Sequence, residues 1–275
     1  MVMDTKIVQV KEALHSSEAL LIGAGAGMGV DSGLPDFRGK EGFWKAYPPL
    51  AKLGIRFEEM ANPKWFQDDP DLAWGFYGHR LHQYRNTNPH AGFSIIKKWM
   101  IPPKASFVYT SNVDGHFQKA GFEDRGILEC HGSIHFLQCM RNCGRDVWSF
   151  PEDYKLSIDQ NLHAREPLPS CPDCNGMARP NILMFSDYGW DSSRVEKQMD
   201  AFSSWVESNK SKSLVIVEMG AGLAVPTVRL TCEGILHAWE NEVTFVRINP
   251  REVDPTHGVV NMRMGALAAL KLLDQ

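Results

Sequence analysis

The sequence has no excess of positive charge. Its 29 Lys and Arg face 33 Asp and Glu, for a formal net charge of −4, and the two signs are interspersed along the chain. This argues against a nucleic-acid binder, which needs a basic stripe to attract a phosphate backbone. Long apolar runs are missing too, and no stretch approaches the roughly 18 residues of a membrane span. The amino-terminal MVMDTKIVQVKEALHSS carries an acid early and lacks the apolar centre of a signal peptide. There is no internal repeat and no low-complexity tract. With 43% hydrophobic and 23% charged residues, the composition predicts an ordinary globular protein, soluble and cytoplasmic. It is expected to bind neither nucleic acid nor membrane, and to be a monomer or small homo-oligomer.

Cysteine is scarce, with six residues in 275, yet four of them are clustered. Cys139-x₃-Cys143 and Cys171-x₂-Cys174 are separated by 27 residues. Without a secretion signal, such pairs read as metal ligands before disulfides. Four thiolates suit tetrahedral zinc, and a saturated site leaves no position for substrate, so the zinc is expected to be structural. The x₃ spacing is looser than usual, and free buried cysteines are the alternative. For Cys130 and Cys232 that alternative is the first choice.

Short apolar runs alternate with helical patterns. Ala19 to Gly23 (ALLIG), Ser106 to Thr110 (SFVYT), Leu214 to Met219 (LVIVEM) and Thr244 to Ile248 (TFVRI) have the length and apolarity of parallel strands buried on both faces. Ser192 to Asn209, Pro226 to Glu240 and Gly265 to Leu273 read as helices. The expected fold is α/β, a Rossmann-like doubly wound parallel sheet. Residues 1–39, 105–132 and 183–275 would form this domain. A helical insertion (40–104) rich in Trp, Phe, Tyr and Pro, and a cysteine-bearing insertion (133–182), would form a small module.

GAGAGMGVDSGLPDFRG, residues 23–39, directly follows the first strand. Glycines there let a backbone approach a pyrophosphate. The dehydrogenase spacing G-x-G-x-x-G fails, because from Gly25 and Gly27 it ends on Val30. No acidic ribose clamp is recognisable about 20 residues on, which also disfavours a dehydrogenase. Alone, the loop is nucleotide-binding or a structural turn. Asp36-Phe37-Arg38 beyond it place an acid, an aromatic ring and a fixed cation together, and Arg38 can pair with phosphate.

Here the chain resembles the sirtuins, NAD-dependent protein-lysine deacylases, in a bacterial-type form. Gly25, Ala26, Gly27, Ser32, Gly33, Pro35, Asp36, Phe37 and Arg38 match that family's loop, with Leu34 conservative; Gly29 stands where the family has Ser. Further segments follow in the family's order. They are Asn112 and Asp114 in TSNVDG, with Ser111 for Gln; His131-Gly132 in ECHGS; RPNILMFSD (179–187); Gly220, Leu223, Val225 and Pro226 in EMGAGLAVP, where the family reads Gly-Thr-Ser-Leu; and Ile248-Asn249.

The resemblance implies that NAD is a co-substrate held by Gly25, Ala26, Gly27, Gly29, Asp36, Phe37, Arg38, Ser111, Asn112, Asp114, His131, Gly220, Ala221, Gly222 and Asn249. It implies that the acyl-lysine oxygen displaces nicotinamide and that His131 removes a proton from a ribose hydroxyl, yielding O-acyl-ADP-ribose and free lysine. Histidine suits that step because it titrates near working pH. Asn112 and Asp114 would organise water, ribose and the nicotinamide amide; an ordinary Asx turn is the other reading of both.

Ala61, Tyr77 and Arg80 resemble the acyl pocket of class III sirtuins that remove succinyl or malonyl groups. Tyr77 and Arg80 lie at i, i+3 and would share a helix face; the alternative is an amphipathic helix with Arg80 in solvent. The leading expectation is a deacylase acting on an acyl-lysine protein or peptide. Gly29 and Ser111 remove pocket side chains, leaving open ADP-ribosyl transfer or NAD glycohydrolysis, and a non-catalytic NAD-sensing module is the reading from another class.

Overall fold

The computed structural model describes residues 2–35, 39–253 and 258–275. Its strands are β1 (Ala19–Ala24), β2 (Ala105–Thr110), β3 (Ile127–Glu129), β4 (Gly132–Cys139), β5 (Trp148–Ser149), β6 (Ala178–Ile182), β7 (Leu214–Met219), β8 (Val243–Ile248) and β9 (Val259–Met262). Six of them form one sheet in the order β3-β2-β1-β7-β8-β9. Neighbours run parallel, with Ile22 of β1 opposite both Val108 of β2 and Val217 of β7. The four apolar runs are its central strands, because only a segment apolar on both sides tolerates helices on both faces.

On one face Val10 and Leu14 of helix Val2–Ser16, Phe93 and Ile96 of helix Ala91–Trp99, and Ala269 and Leu270 of helix Ala266–Leu273 cover the sheet. On the other, Val195 and Phe202 of helix Ser193–Asn209 and Val228 and Cys232 of helix Thr227–Ala238 do so. Cys130 and Cys232 are buried and free. Among the described residues no helix is long and apolar enough to cross a membrane.

A second core gathers Phe43, Tyr47, Trp74, Phe76 and Tyr77 with Ile134, Leu137, Phe150 and Leu156. Its sheet is antiparallel, β5-β4-β6, and its central helix is Pro70–Asn86, begun by Asp69, whose carboxylate accepts the Leu72 amide at 3.0 Å. The 40–104 segment divides between the two cores. Helix Ala91–Trp99 packs on the large sheet, where its apolar face meets helix Ala266–Leu273. The aromatic content that marks this segment therefore belongs mainly to its first two thirds.

The strands read as apolar carry one charged pair. Glu218 of β7 and Arg247 of β8 are register partners, and both are about fully buried, at 1% and 0% exposure. Arg247 donates to Glu218 through Nε at 2.6 Å and Nη2 at 3.1 Å, and to Glu233 at 2.6 Å. Removing one member leaves a dry, uncompensated charge, a loss of about 3 kcal/mol or more. Arg247→Met is therefore expected to lower unfolding free energy by about 3 kcal/mol in urea titration; a loss below about 1 kcal/mol would contradict a dry pair.

Candidate active site

The chain order of the sheet reverses between β1 and β7, and their carboxyl ends diverge there. Open α/β sheets take ligands in this crevice. The Gly25 amide donates to Met219 O at 2.9 Å and the Gly27 amide to Gly220 O at 3.1 Å, so the loops after β1 and β7 interlock through backbone alone. A Cβ at Gly25 would stand 2.7 Å from Ala221 Cα, and one at Gly220, where φ is +61°, 2.5 Å from Gly27 Cα. Only glycine fits this crossing.

Polar side chains at the neighbouring strand ends brace it. Thr110 Oγ1 donates to Ala24 O at 2.9 Å, the Ser111 amide to the same carbonyl at 3.1 Å, and Asn112 Nδ2 to Gly25 O at 3.0 Å. From β8, Asn249 Nδ2 donates to Ala221 O at 2.9 Å. Asp114 does form the local turn, accepting the His116 amide on Oδ1 at 2.9 Å. Its other oxygen faces Gly29, where a Cβ would lie 3.6 Å away. Ala26 caps the short helix Gly27–Val30, and Gly222 leads the β7 loop toward Glu252. Asp36, Phe37 and Arg38 lie outside the described residues.

His131 follows β3, whose last residue, Glu129, is buried and paired with Arg194. Its carbonyl accepts the Leu183 amide at 3.0 Å, and Gly132 turns the chain at φ +77°, where a Cβ would meet Asn181 O at 2.1 Å. With the backbone fixed on both sides, the ring places Nε2 3.2 Å from Thr227 Oγ1. Burial disfavours the imidazolium and holds the His131 pKa below the ordinary histidine value. These residues share one edge of the sheet. They fit a dinucleotide: the crevice floor is glycine backbone with no side chain to block approach, and a histidine stands at its rim.

Tyr77 and Arg80 are both buried on helix Pro70–Asn86, so Arg80 is not on a solvated face. Its guanidinium lies 5.4–5.9 Å from the ring centres of Phe57, Phe76, Tyr77 and Tyr84, and donates to Tyr84 Oη at 2.8 and 3.1 Å. Tyr77 Oη is buried with no hydrogen-bond partner among the described residues, and burial raises its pKa. Ala61 O accepts the Phe185 amide at 2.8 Å, while the Phe185 ring packs edge-on to Phe57. Ala61, Tyr77 and Arg80 are thus linked through Phe57 and Phe185.

Sequence reasoning missed Thr227, Arg194 and Arg229. Arg229, 3% exposed, donates to Ala221 O at 3.2 Å and Glu252 O at 2.7 Å and so ties the β7 and β8 loops together. None of the three belongs to a motif or a periodic pattern; each matters through a fold contact.

The sulfurs of Cys139, Cys143, Cys171 and Cys174 lie within 4.8 Å of one another, with Cys139–Cys174 and Cys143–Cys171 both at 3.6 Å. A tetrahedron with Zn–S near 2.3 Å has sulfurs about 3.8 Å apart, so the donor set fits zinc. Purified protein is expected to carry one zinc per chain by elemental analysis. Cys171→Ser should lose it and melt the small module; full zinc content in that variant would refute the assignment.

The family model described as the Sir2 family matches residues 25–226. An NAD-dependent protein deacylase of Aquifex aeolicus is 28% identical, covering 84% of this chain and 83% of its own. One from Aeropyrum pernix is 30% identical over 92% and 90%. A solved Sir2 homologue–NAD complex shares the fold, with a TM-score of 0.71 and 22% identity over 97% of this chain and 92% of that one. The glycine crossing, the histidine at the β3 end and the four-cysteine cluster thus sit in a chain that belongs to the Sir2 family.

Proposed function

We propose that this chain is an NAD-dependent protein-lysine deacylase with His131 as general base and a preference for short acyl groups that carry a carboxylate. The observation that carries the reading is His131, half-buried and backbone-fixed just past the carboxyl end of β3, at the same end of the sheet as the glycine crossing. Bound NAD would supply the electrophilic ribose carbon that accepts the acyl oxygen. Gly25, Ala26, Gly27, Gly29, Ser111, Asn112, Asp114, Gly220, Ala221, Gly222 and Asn249 would hold it, with Asp36, Phe37 and Arg38 joining them on the family resemblance.

The chain's own contributions follow from their surroundings. Neutral His131 accepts a proton from a ribose hydroxyl, and its partial burial favours that neutral form by lowering its pKa. Asp114, braced by the His116 amide, keeps its second oxygen toward the crevice side occupied by Gly29. Arg80 stays charged at any working pH and offers an acyl carboxylate a cation already stripped of water. The Tyr77 hydroxyl supports the same end of the pocket.

Assays with acetyl-, succinyl- and malonyl-lysine peptides, following nicotinamide and O-acyl-ADP-ribose by mass spectrometry, test this. Arg80→Met is expected to lower kcat/KM for the succinyl peptide about 30-fold, the loss of about 2 kcal/mol of charge-assisted bonding. Equal turnover of acetyl and succinyl peptides, unaffected by that change, sinks the acyl preference. Because desolvation lowers the His131 pKa, the acid limb of kcat/KM should fall below pH ~6.5. A limb above pH ~7 would assign the base elsewhere.

One observation favours a second reading. With no side chain at residue 29, nothing from that position engages the Asp114 carboxylate. Water or another acceptor could then compete for the ribose carbon, giving NAD glycohydrolysis or ADP-ribosyl transfer. Gly29→Ser is expected to reduce nicotinamide release measured without peptide; release that is absent in the parent chain excludes this reading.

A further inference from the structure

A general base in a hydrolytic triad is oriented by a buried carboxylate on its second nitrogen. His131 has a different arrangement. Burial depresses its pKa, and among the described residues no charged group adds to that shift. The nearby carboxylates are engaged elsewhere: Glu129 pairs with Arg194, and Asp114 Oδ1 accepts the His116 amide. What meets the ring is a neutral hydroxyl, Thr227 Oγ1, 3.2 Å from Nε2.

Thr227 is itself well fixed. It opens helix Thr227–Ala238, directly after Pro226, and its carbonyl accepts Thr231 Oγ1 at 2.9 Å. The next residues, Val228 and Arg229, are buried. Arg229 holds Ala221 O, so one helical turn connects the β7 loop to the His131 ring.

We infer that Thr227 is a positioning residue, its hydroxyl holding the His131 imidazole in place and tying it to the helix that anchors the β7 loop. The inference rests on the deacylase reading for its kinetic consequence, though not for its structural one. With Nε2 turned to Thr227, the proton is taken on Nδ1; Nε2–H donates to Thr227 Oγ1 in the neutral ring, and that bond strengthens when the ring becomes charged, so the hydroxyl favours the protonated form. A methyl in its place removes that acceptor and leaves the ring's exposure much as before.

The test compares Thr227→Val and Thr227→Ser in the full chain. Valine keeps the shape and loses the hydroxyl; serine keeps the hydroxyl. Thr227→Val is expected to lower kcat about tenfold, with KM for NAD and peptide within about twofold, whereas Thr227→Ser stays within about threefold of the parent. The His131 titration midpoint, followed by NMR of the imidazole carbons, should move to lower pH in Thr227→Val and stay put in Thr227→Ser. An unmoved midpoint in folded Thr227→Val overturns the inference, as does an unmoved kcat. If Thr227→Val fails to fold, Thr227→Ala is titrated instead, with the same shift expected and the same overturning result. A parent chain with no deacylase activity refutes the functional reading, and the titration then still decides on Thr227.

Discussion

The close crossing of the β1 and β7 loops is the constraint on which the site depends. Two backbone hydrogen bonds, Gly25 to Met219 and Gly27 to Gly220, hold the loops at a separation no side chain could share. The crossing exists because β1 is a central strand flanked in register by β2 and β7, which brings three carboxyl ends to one level. Asn112 and Asn249 then contribute by spending their amides on the loop carbonyls of Gly25 and Ala221. Both act on the floor of the crevice, which keeps its shape because each loop is bonded from two directions.

Behind that floor lies buried charge. Glu218, Arg247 and Arg229 are each at most 3% exposed, and taking such groups out of water costs several kcal/mol apiece. Bidentate geometry between Arg247 and Glu218 offsets much of this, and Glu233 adds a third contact. Apolar residues of equal volume would often be as stable. The gain is in placement. Arg229, standing 3.9 Å from Glu218, reaches two carbonyls on two different loops, which no aliphatic side chain can do.

The sheet was legible because continuous apolar runs of five or six residues leave few alternatives, and all four became central strands. β9 was not: only its end residues, Val259 and Met262, are buried, and its four residues show neither a run nor an alternation. Helix Val2–Ser16 carried a readable signal in Ile7, Val10 and Leu14, spaced three and four apart, two of them buried against the sheet. The candidate site was legible in the sequence wherever a motif marked it, as at Gly25, Asn112, His131 and the four cysteines, whose sulfurs the fold gathers within 4.8 Å. Thr227 and Arg229 were not, since a lone Thr or Arg at a helix start has no pattern. Glu218 and Arg247 had a faint one, a single opposite charge inside each of two adjacent apolar runs. Register pairing turns that oddity into an ion pair.

Burial acts in opposite ways on the two residues proposed to do the chemistry. An imidazole can discard its charge, so partial burial of His131 shifts it toward the neutral form by lowering its pKa. A guanidinium cannot, since it remains protonated at any working pH. Drying Arg80 therefore concentrates a permanent charge, held among ring faces each worth about 0.5–2 kcal/mol and by its hydrogen bonds to Tyr84. Under the proposed acyl preference, a carboxylate arriving in that cage gains an interaction that water does not screen, while an acetyl group gains only contact. The proposed function thus divides its two demands: selection of an acyl group by charge falls to the small module, and proton transfer to the histidine past β3.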